Sequence, residues 1–415
     1  MGALVSSAEA EALSLLSSEA VRARAHTLLT LGLRDELLHF RVASERLEVA
    51  ADLVADTTRA AYPSLDVPLH SRWRHFEFQG VDRWSALSAE RSWQSSEEAA
   101  RAAFDLAVVS VLLDAGAGMR WTYKDRKSGA AIGRSEGLAL ATLTMFEDGL
   151  FSADPRDPLR VDAAVLAHLP MEEFRRGLQA SDENPLVGIE GRLNQLRRLG
   201  QVMIDHPEAF AQHDSARPGG LFDVLAAGSK KQVVPAPAIL STLLRHLTPI
   251  WPSRETLAGV PLGDCWRHPL LRTPDTTDGL VPLHKLLQWL AYSLIEPLQW
   301  AGYEVTDLDG LTGLAEYRNG GLLVDSGVLT LRDHKDAMRE HSVGSPLVVE
   351  WRALTVALLD ELAGTVRRRL NVDAAAFPLA KVLQGGTWTA GRSLARKLRS
   401  DGSPPIRVAS DGSVF

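Results

Sequence analysis

Apolar residues recur at helical spacing along two long stretches of the chain. In residues 283–303 leucine returns every three or four positions, and residues 350–370 show the same period before they end in three arginines. This spacing gives each helix one apolar face, and cations near a helix C-terminus are favoured by the helix dipole. We expect two long core helices, the first of them kinked or broken at Pro297.

A third helix is predicted by a capping signal. Ser95 and Glu98 have the spacing of a capping box, and the apolar run that follows them ends near Gly116 and Gly118. A serine hydroxyl at the N-cap accepts a hydrogen bond from the first turn of a helix, and glycine is common where a helix stops. We expect this helix in the core because the run is too apolar for an exposed surface.

Strand signals are fewer and shorter. The stretch GGLLVDSGVLTLRD (320–333) has the pattern of two short strands joined at Ser326 and Gly327, and PIRVASDGSVF (405–415) suits a strand that pairs near the end of the chain. The predicted fold class is α+β, predominantly α-helical with a few short strands. No linker-like segment divides the chain, so we expect residues 1–415 to form a single catalytic-type domain, with a division near residue 160 as the alternative.

Composition narrows the classes of function. The chain has 415 residues, 45% of them hydrophobic, and a net charge of −7, which argues against nucleic acid as a partner. Its one cysteine excludes an internal disulfide and fits a reducing compartment. No stretch approaches the ~18 apolar residues of a membrane span. We therefore expect a cytoplasmic protein with no membrane partner, and the oligomeric state stays open.

A cationic, glycine-rich segment covers residues 119–137 and leads into an apolar helix. It contains Arg126 and Arg134 among several other basic residues, together with Trp121. Backbone N–H groups and the helix dipole favour an anion at such a helix N-terminus, so the segment is a candidate phosphate site. The alternative is a solvated basic loop, because the spacing matches neither the P-loop nor the dinucleotide-binding fingerprint.

Guanidinium groups and aromatic rings alternate in the segment SRWRHFEFQGVDRW (71–84). Arg72, Trp73 and His75 lie within four positions of one another. Aromatic surface beside guanidinium groups can stack on a planar ligand and bind a phosphate. The alternative is a surface loop anchored by its tryptophans.

Cys265 and His268 stand three positions apart in GDCWRHP (263–269). This spacing can supply two zinc ligands, but a zinc site needs a third protein ligand from elsewhere in the chain. The alternative is a structural cysteine next to a structural histidine.

Two acids flank a double glycine in EYRNGGLLVD (316–325). If the glycines form a turn, Glu316 and Asp325 can face one pocket with Arg318 between them. Paired carboxylates suit hydrolysis at a sugar carbon, where one stabilises an oxocarbenium-like centre or activates water and the other handles the leaving group. The alternative is a capped hairpin with a salt-bridged arginine.

Several of these segments, in the same order over nearly the whole chain, resemble one known family. The segments are SRWRHFE, MRWTYKD, GRSEGLALAT, NPLVGIEGR, RPGGLFD and EYRNGGLLVD. They resemble the family named for uracil catabolism protein four, also called the uracil-regulated gene three family. The resemblance implies a pyrimidine-degradation route in which a homologue of GTP cyclohydrolase II opens the ring of a uracil nucleotide and later steps release urea.

The resemblance implies a substrate, and the substrate assigns roles to the candidate residues. A ring-opened uridine nucleotide keeps a ureido nitrogen on C1 of ribose phosphate, so the release of urea requires hydrolysis of an N-glycosidic bond. On this hypothesis the basic residues bind the phosphate, the tryptophans flank the ureido group, and the polar residues after Glu316 hold ribose hydroxyls or the urea carbonyl. The candidate catalytic acids are Glu316, Asp325 and Glu190, and the candidate substrate-binding residues are Arg72, Trp73, His75, Trp121, Arg126, Arg134, Arg192, Arg318, Asn319 and Gly320.

Two other functions fit the sequence as well. The first is a zinc-dependent amide hydrolase of the opened pyrimidine chain, in which Cys265 and His268 bind the metal. The second is a non-catalytic protein that binds nucleotide intermediates. The glycoside hydrolase requires no cofactor, whereas the amide hydrolase requires zinc, and in each case the partner is a phosphorylated small molecule derived from a nucleoside.

Overall fold

The structure is a computed structural model that describes residues 6–118, 120–212, 215–251 and 254–409. It is predominantly helical with short strands, which confirms the predicted α+β class. None of the described helices combines the length and the apolar character that a membrane crossing requires. In chain order the helices are α1 (Ser7–Ser14), α2 (Ser18–Leu33), α3 (Leu47–Ala61), α4 (Arg83–Ala89), α5 (Ser96–Leu112), α6 (Arg134–Glu147), α7 (Ala163–Ala167), α8 (Met171–Gly177), α9 (Ile189–Asp205), α10 (Pro207–Phe210), α11 (Gly220–Gly228), α12 (Ala236–Leu247), α13 (Lys285–Trp300), α14 (Tyr317–Asp325), α15 (Pro346–Leu370), α16 (Leu379–Val382) and α17 (Trp388–Leu398).

The strands that the structure describes pair two by two. Two pairs are parallel, β8 with β13 and β15 with β16, and the others are antiparallel. In chain order the strands are β1 (Phe40–Val42), β2 (Glu77–Phe78), β3 (Val81–Asp82), β4 (Thr122–Lys124), β5 (Ala131–Gly133), β6 (Ala211–Gln212), β7 (Ser215–Ala216), β8 (Val233–Pro235), β9 (Thr256–Leu257), β10 (Val260–Pro261), β11 (Cys265–Arg267), β12 (Leu280–Pro282), β13 (Glu304–Thr306), β14 (Leu329–Leu331), β15 (Glu340–Ser342) and β16 (Arg407–Ala409).

The chain forms two compact units. The first unit comprises the described residues of 1–70, 253–288 and 307–409, and the second comprises those of 71–252 and 289–306. The prediction of one catalytic-type domain stays a prediction.

The first unit is built around α15. This long helix is buried along most of its length and packs against α2 and α3, while α14 packs against α17. The buried carboxylate of Glu350 on α15 accepts hydrogen bonds from the backbone N–H groups of His39 and Phe40, at 3.0 and 2.9 Å. These bonds hold β1 in register with β14, where Phe40 pairs with Leu331.

The second unit has its core around α5, α6 and α9. Residues on nearly every side of α5 are buried, as the apolar run after Ser95 predicts. A second buried carboxylate, that of Asp105 on α5, accepts hydrogen bonds from the backbone N–H groups of Val161 and Gly219. Arg217 pairs with the same carboxylate, so one acid on α5 fixes two separate segments, at residue 161 and at residues 217–219.

The predicted long helices are confirmed. Ser95 caps α5, its Oγ accepting a hydrogen bond from the Glu98 N–H at 3.3 Å, although the helix ends at Leu112, before the two glycines. The other two helices are α13 and α15. Pro297 lies inside α13, which continues to Trp300, so the alternative of a break at the proline is wrong.

The two-strand prediction for residues 320–333 is half wrong. Residues 317–325 form helix α14, and only the second half of the stretch contains a strand, β14. Near the end of the chain β16 pairs with β15, as predicted, while residues 410–415 lie outside the described part. The basic segment forms the hairpin of β4 and β5 and then enters α6; its Met119 also lies outside the described residues.

Candidate functional site

Glu316 is the N-cap of α14. Its carboxylate accepts hydrogen bonds from the backbone N–H groups of Arg318 at 2.8 Å and Asn319 at 2.6 Å. The side chain is only partly exposed, and burial raises the pKa of the Glu316 carboxyl although these hydrogen bonds and the charge of Lys285 lower it. Glu316 is therefore an immobilised carboxyl group whose basicity is higher than that of an ordinary glutamate.

Asp325 lies at the other end of α14, so the expected shared pocket of Glu316 and Asp325 is wrong. Nine residues of helix separate their backbones by about 13 Å. Asp325 is bound in a bidentate ion pair by Arg399, at 2.9 and 2.5 Å. The glycines between the two acids do not form a turn, because they belong to the helix.

Lys285, the first residue of α13, shares its surroundings with Glu316. The Lys285 charge acts on the carboxyl group of Glu316 and on the imidazole of His70. Its backbone N–H donates to Asp264, at 3.0 Å, and Arg352 binds both carboxylate oxygens of Asp264. Burial opposes ionisation of Asp264, but the charge of Arg352 holds the pKa of this carboxyl well below its usual range.

The same arginine reaches the segment that carries Glu316. Arg352 Nε donates to the carbonyl of Ala315, at 3.2 Å, one residue before the cap. A single buried guanidinium thus fixes the backbone next to Glu316 and, through Asp264, the backbone of Lys285. This shared anchor ties together two segments that are 31 positions apart in sequence.

His70 is linked to Lys285, whose charge acts on its ring, and Gln384 contacts His70. His70 Nδ1 lies 3.0 Å from Gln384 Oε1, and Gln384 Nε2 donates to the Tyr62 hydroxyl at 3.3 Å. Gln384 belongs to a π-helical turn, Leu383–Thr387, and such turns are frequent at functional sites. Burial lowers the pKa of His70 to about 4, with Lys285 acting in the same direction. We call Glu316, Lys285, His70, Gln384 and Asn319 the Glu316 site.

Asn319 brings an open acceptor to this site. It is 2% exposed, its Nδ2 donates to the Leu314 carbonyl at 3.4 Å, and its Oδ1 has no hydrogen-bond partner among the described residues. Arg318 points elsewhere, since its Nη1 donates to the carbonyl of Gly402. Gly320 lies against the indole of Trp351, whose Nε1 donates to the Gly320 carbonyl, so its role here is close packing.

Arg72, in the second unit, is fully buried. Its guanidinium binds Ser110 Oγ at 2.7 Å and Ser135 Oγ at 3.1 Å, lies 3.4 Å from Asp114, and covers the ring of Trp289. Ser135 also donates to Asp114. The arginine therefore has protein partners at the start of α6, and its predicted role in phosphate binding stays a prediction.

The predicted aromatic walls lie inside the second unit. The indole N–H of Trp73 donates to the Ser293 carbonyl at 2.7 Å, and that of Trp121 donates to the Leu178 carbonyl at 3.0 Å. His75 packs edge to face on Trp289. With exposures of 3% and 1%, the two tryptophans offer little surface to a ligand in this conformation.

The arginines of the basic segment have different surroundings. Arg126 is exposed and pairs with Asp148 at 2.7 Å and with Glu147 at 3.2 Å. Arg134 is partly exposed and is the first residue of α6, with a φ of 60°. Partners on the protein thus already occupy the guanidinium group of Arg126.

Arg192 and Glu190 stand on the first turn of α9. The Arg192 guanidinium is buried and donates to the carbonyls of Leu113, Ala115, Gly116 and Val187. Burial lowers the pKa of Arg192 to about 10. These contacts hold the loop after α5 in place, whereas Glu190 is exposed to solvent.

Cys265 and His268 do not fit a zinc site. His268 Nε2 lies 3.2 Å from the Glu350 carboxylate, and its Nδ1 accepts from the Leu270 N–H. Burial raises the pKa of the Cys265 thiol. Within the described ranges no three His, Cys, Asp or Glu side chains gather as metal ligands would.

Comparison with known proteins shows the family. The model of the family described as "Protein of unknown function (DUF1688)" matches residues 14–415, and the chain belongs to this family. It is 40% identical over 409 residues to the protein named "Protein urg3" of Schizosaccharomyces pombe, covering 97% of this chain and 98% of the relative. It is 37% identical over 409 residues to "Uracil catabolism protein 4" of Lachancea kluyveri, covering 91% and 92%. The family resemblance predicted from the motifs is confirmed.

Three residues of the Glu316 site were not predicted from the sequence. His70, Lys285 and Gln384 are separated by 99 to 314 positions, counted from their residue numbers, and none lies in a segment with an obvious chemical pattern. One signal was present, the double glycine at 385–386 after Gln384, which resembles the double glycine at 320–321.

Proposed function

We propose that the protein acts in uracil catabolism and hydrolyses the N-glycosidic bond of a ring-opened uridine-nucleotide intermediate, a phosphoribosyl-urea-like compound, to release urea. The names of the two relatives support the pathway. The observation that carries the reaction is Glu316: a partly exposed carboxyl group that is fixed by two backbone N–H groups and has a raised pKa. The charge of Lys285 acts on it, and the neighbouring Asn319 has a buried amide oxygen without a hydrogen-bond partner among the described residues.

Glu316 would act at the anomeric carbon. The bond between C1 and the ureido nitrogen breaks, its electron pair leaves with the nitrogen, and the charge that develops on the sugar is stabilised by the carboxylate. A water molecule then bonds to C1 and gives a proton to Glu316, while the leaving nitrogen takes a proton from solvent. A carboxylate held by a helix cap needs no reorganisation to do this, because its oxygens are already in place.

Lys285 and Asn319 have supporting roles in this proposal. Burial raises the pKa of Glu316, and the ammonium of Lys285 opposes this by favouring the ionised carboxylate. Asn319 Oδ1 can accept a hydrogen bond from a ribose hydroxyl, since a buried acceptor without a partner gains most from a ligand that supplies a donor. All of these groups belong to the first unit, and the proposal rests on that unit alone.

The reaction is tested with chemically prepared phosphoribosylurea. Purified protein is incubated with this compound, with and without a chelator, and urea and ribose phosphate are measured together. We expect equimolar release of both products that survives chelation. Ribosylurea without its phosphate is the matched control substrate and should react more slowly.

Two results would contradict the proposal. Loss of activity on chelation would favour the zinc-dependent amide hydrolase, although the surroundings of Cys265 and His268 do not suit a metal. Binding of phosphoribosylurea with no release of either product would favour a non-catalytic binding protein.

A further inference from the structure

A cavity of about 420 Å³ lies in the first unit, at the C-terminal end of α14. Its walls come from the end of α14, from β14, from the 3₁₀ turn His334–Met338 and from the segment between α17 and β16. Glu316 caps the opposite end of α14, so this cavity is separate from the Glu316 site. A volume of this size is within the range of small-molecule sites, roughly 300–1,000 Å³. We call it the Arg407 cavity.

The charged side chains that line the Arg407 cavity are basic. Arg399 and Arg407 both line it, and none of its described lining residues is acidic. Arg407 is exposed, and its guanidinium forms no ion pair with any residue that the structure describes. Guanidinium groups bind the oxygens of carboxylates and phosphates with short, charge-assisted hydrogen bonds. The lining therefore favours an anion over a neutral or cationic ligand.

Arg399 is held in place before any ligand arrives. Its Nη1 and Nη2 donate to the Asp325 carboxylate at 2.9 and 2.5 Å, and its Nε donates to the Ser403 carbonyl at 2.6 Å. A guanidinium has more N–H groups than these bonds use, and the remaining ones can donate to a further oxygen. Because the side chain is already ordered, a ligand loses little affinity in ordering it.

Apolar side chains form another part of the wall. Leu329 and Leu331 alternate with an exposed residue on β14, so both point to the same face of the strand, and Pro404 and Pro405 line the cavity as well. Apolar contact of this kind suits the flat, weakly polar body of a small organic molecule. An inorganic anion would leave this part of the wall unused.

We propose that the Arg407 cavity is a second binding site, which takes a small organic anion with its carboxylate or phosphate on Arg399 and Arg407 and its flat body on the leucines and prolines. The site goes beyond the proposed function, because neither its residues nor its ligand takes part in the hydrolysis at Glu316.

Calorimetric titration of the full-length protein tests the class of ligand. The probes are phenyl phosphate, benzoate and the neutral benzyl alcohol, which share one flat ring and differ in the polar group. We expect the two anions to bind and benzyl alcohol to bind far more weakly. The tighter of the two anions identifies the site as one for phosphate monoesters or for carboxylates. Equal affinity for benzyl alcohol, or no binding of either anion at millimolar concentration, would overturn the proposal.

Three variants locate the binding. Arg407→Gln removes a charge that has no described ion-pair partner, and Ala337→Trp narrows the cavity without changing its charge. Arg34→Gln is the matched control, since Arg34 is an exposed arginine of the first unit that does not line the cavity. The thermal unfolding midpoint of each variant establishes that it is folded.

The affinities of the three variants should differ in a fixed order. We expect the Kd of the anions to rise by about threefold or more in Arg407→Gln, because one charged contact is lost. Ala337→Trp should raise it as well, and Arg34→Gln should leave it unchanged. An unchanged Kd in folded Arg407→Gln, or equal losses in Arg407→Gln and Arg34→Gln, would show that the anions bind elsewhere and would overturn the proposal.

Discussion

Glu316 has two tasks in this account, because the carboxylate that caps α14 is also the proposed base. The cap fixes both of its oxygens through the N–H groups of Arg318 and Asn319, and the charge of Lys285 favours the ionised carboxylate. Glutamate is not among the residues preferred at an N-cap. Here burial raises its pKa, and this makes an otherwise structural residue a candidate for chemistry.

Replacement of Lys285 by methionine should raise two pKa values at once. The ammonium lowers the pKa of Glu316 and also that of His70, so its removal shifts both upward. If the ionised form of Glu316 is active, the acid limb of the kcat–pH profile moves to higher pH. The profile reports Glu316 and an NMR titration reports His70. A rise in only one of the two would show that these groups do not share one ammonium.

Asp325→Asn should affect stability and leave turnover intact. The variant loses the charge that Arg399 binds through two hydrogen bonds, and the free energy of unfolding should fall by about 2 kcal/mol. Chemical denaturation measures this loss, and kcat measured on the same sample should match the wild type. A large decrease in kcat without a loss of stability would restore Asp325 as a catalytic acid.

At the scale of elements, capping and apolar periodicity are sufficient to predict the helices α5, α13 and α15 from the sequence. Helix α14 was missed because two adjacent glycines favour a turn when only local propensity is considered. Its environment reverses this preference: Gly320 lies on the indole of Trp351, and a Cβ on Gly391 of α17 would come within 2.4 Å of the Arg318 carbonyl oxygen. The glycines permit close helix packing, which a single sequence does not reveal.

The π-helical turn is the second element that the sequence did not predict. Gly386→Ala should lower the free energy of unfolding by about 1–3 kcal/mol, because the new methyl group meets the Val54 carbonyl and Thr58. Gly364→Ala in α15 is the matched control. Its Cβ has only an ordinary contact with Arg368, and alanine in a helix should stabilise by about 0.5–1 kcal/mol.

Thermal or chemical unfolding of the two alanine variants provides the comparison. Equal changes in the free energy of unfolding for Gly386→Ala and Gly364→Ala would contradict the close contact between the π-helical turn and α3.

At the scale of the whole molecule, the site could be predicted only in part. Glu316 and Asn319 stand next to each other in one sequence segment, and chemistry alone pointed to that segment. Lys285 comes from a distant segment that Arg352 and Asp264 anchor, and His70 and Gln384 come from segments that hydrogen bonds link to each other and to Tyr62 after α3. The matches to the two relatives extend over 91–97% of the chain and so include most of both units.

The measurement that tests the account most directly compares Glu316→Gln with the wild type on phosphoribosylurea. A glutamine oxygen still accepts one of the two backbone hydrogen bonds of the cap, so the fold should be kept. Asp82→Asn is the matched control, because Asp82 is an exposed carboxylate cap of α4 that accepts from the Ser85 N–H at 2.9 Å.

We expect kcat to fall by about 100-fold or more in Glu316→Gln, with a Kd within about threefold of the wild type, because the carboxylate acts mainly on the transition state. Asp82→Asn should keep full kcat. Undiminished turnover in a folded Glu316→Gln protein would contradict the central claim that this carboxylate performs the hydrolysis.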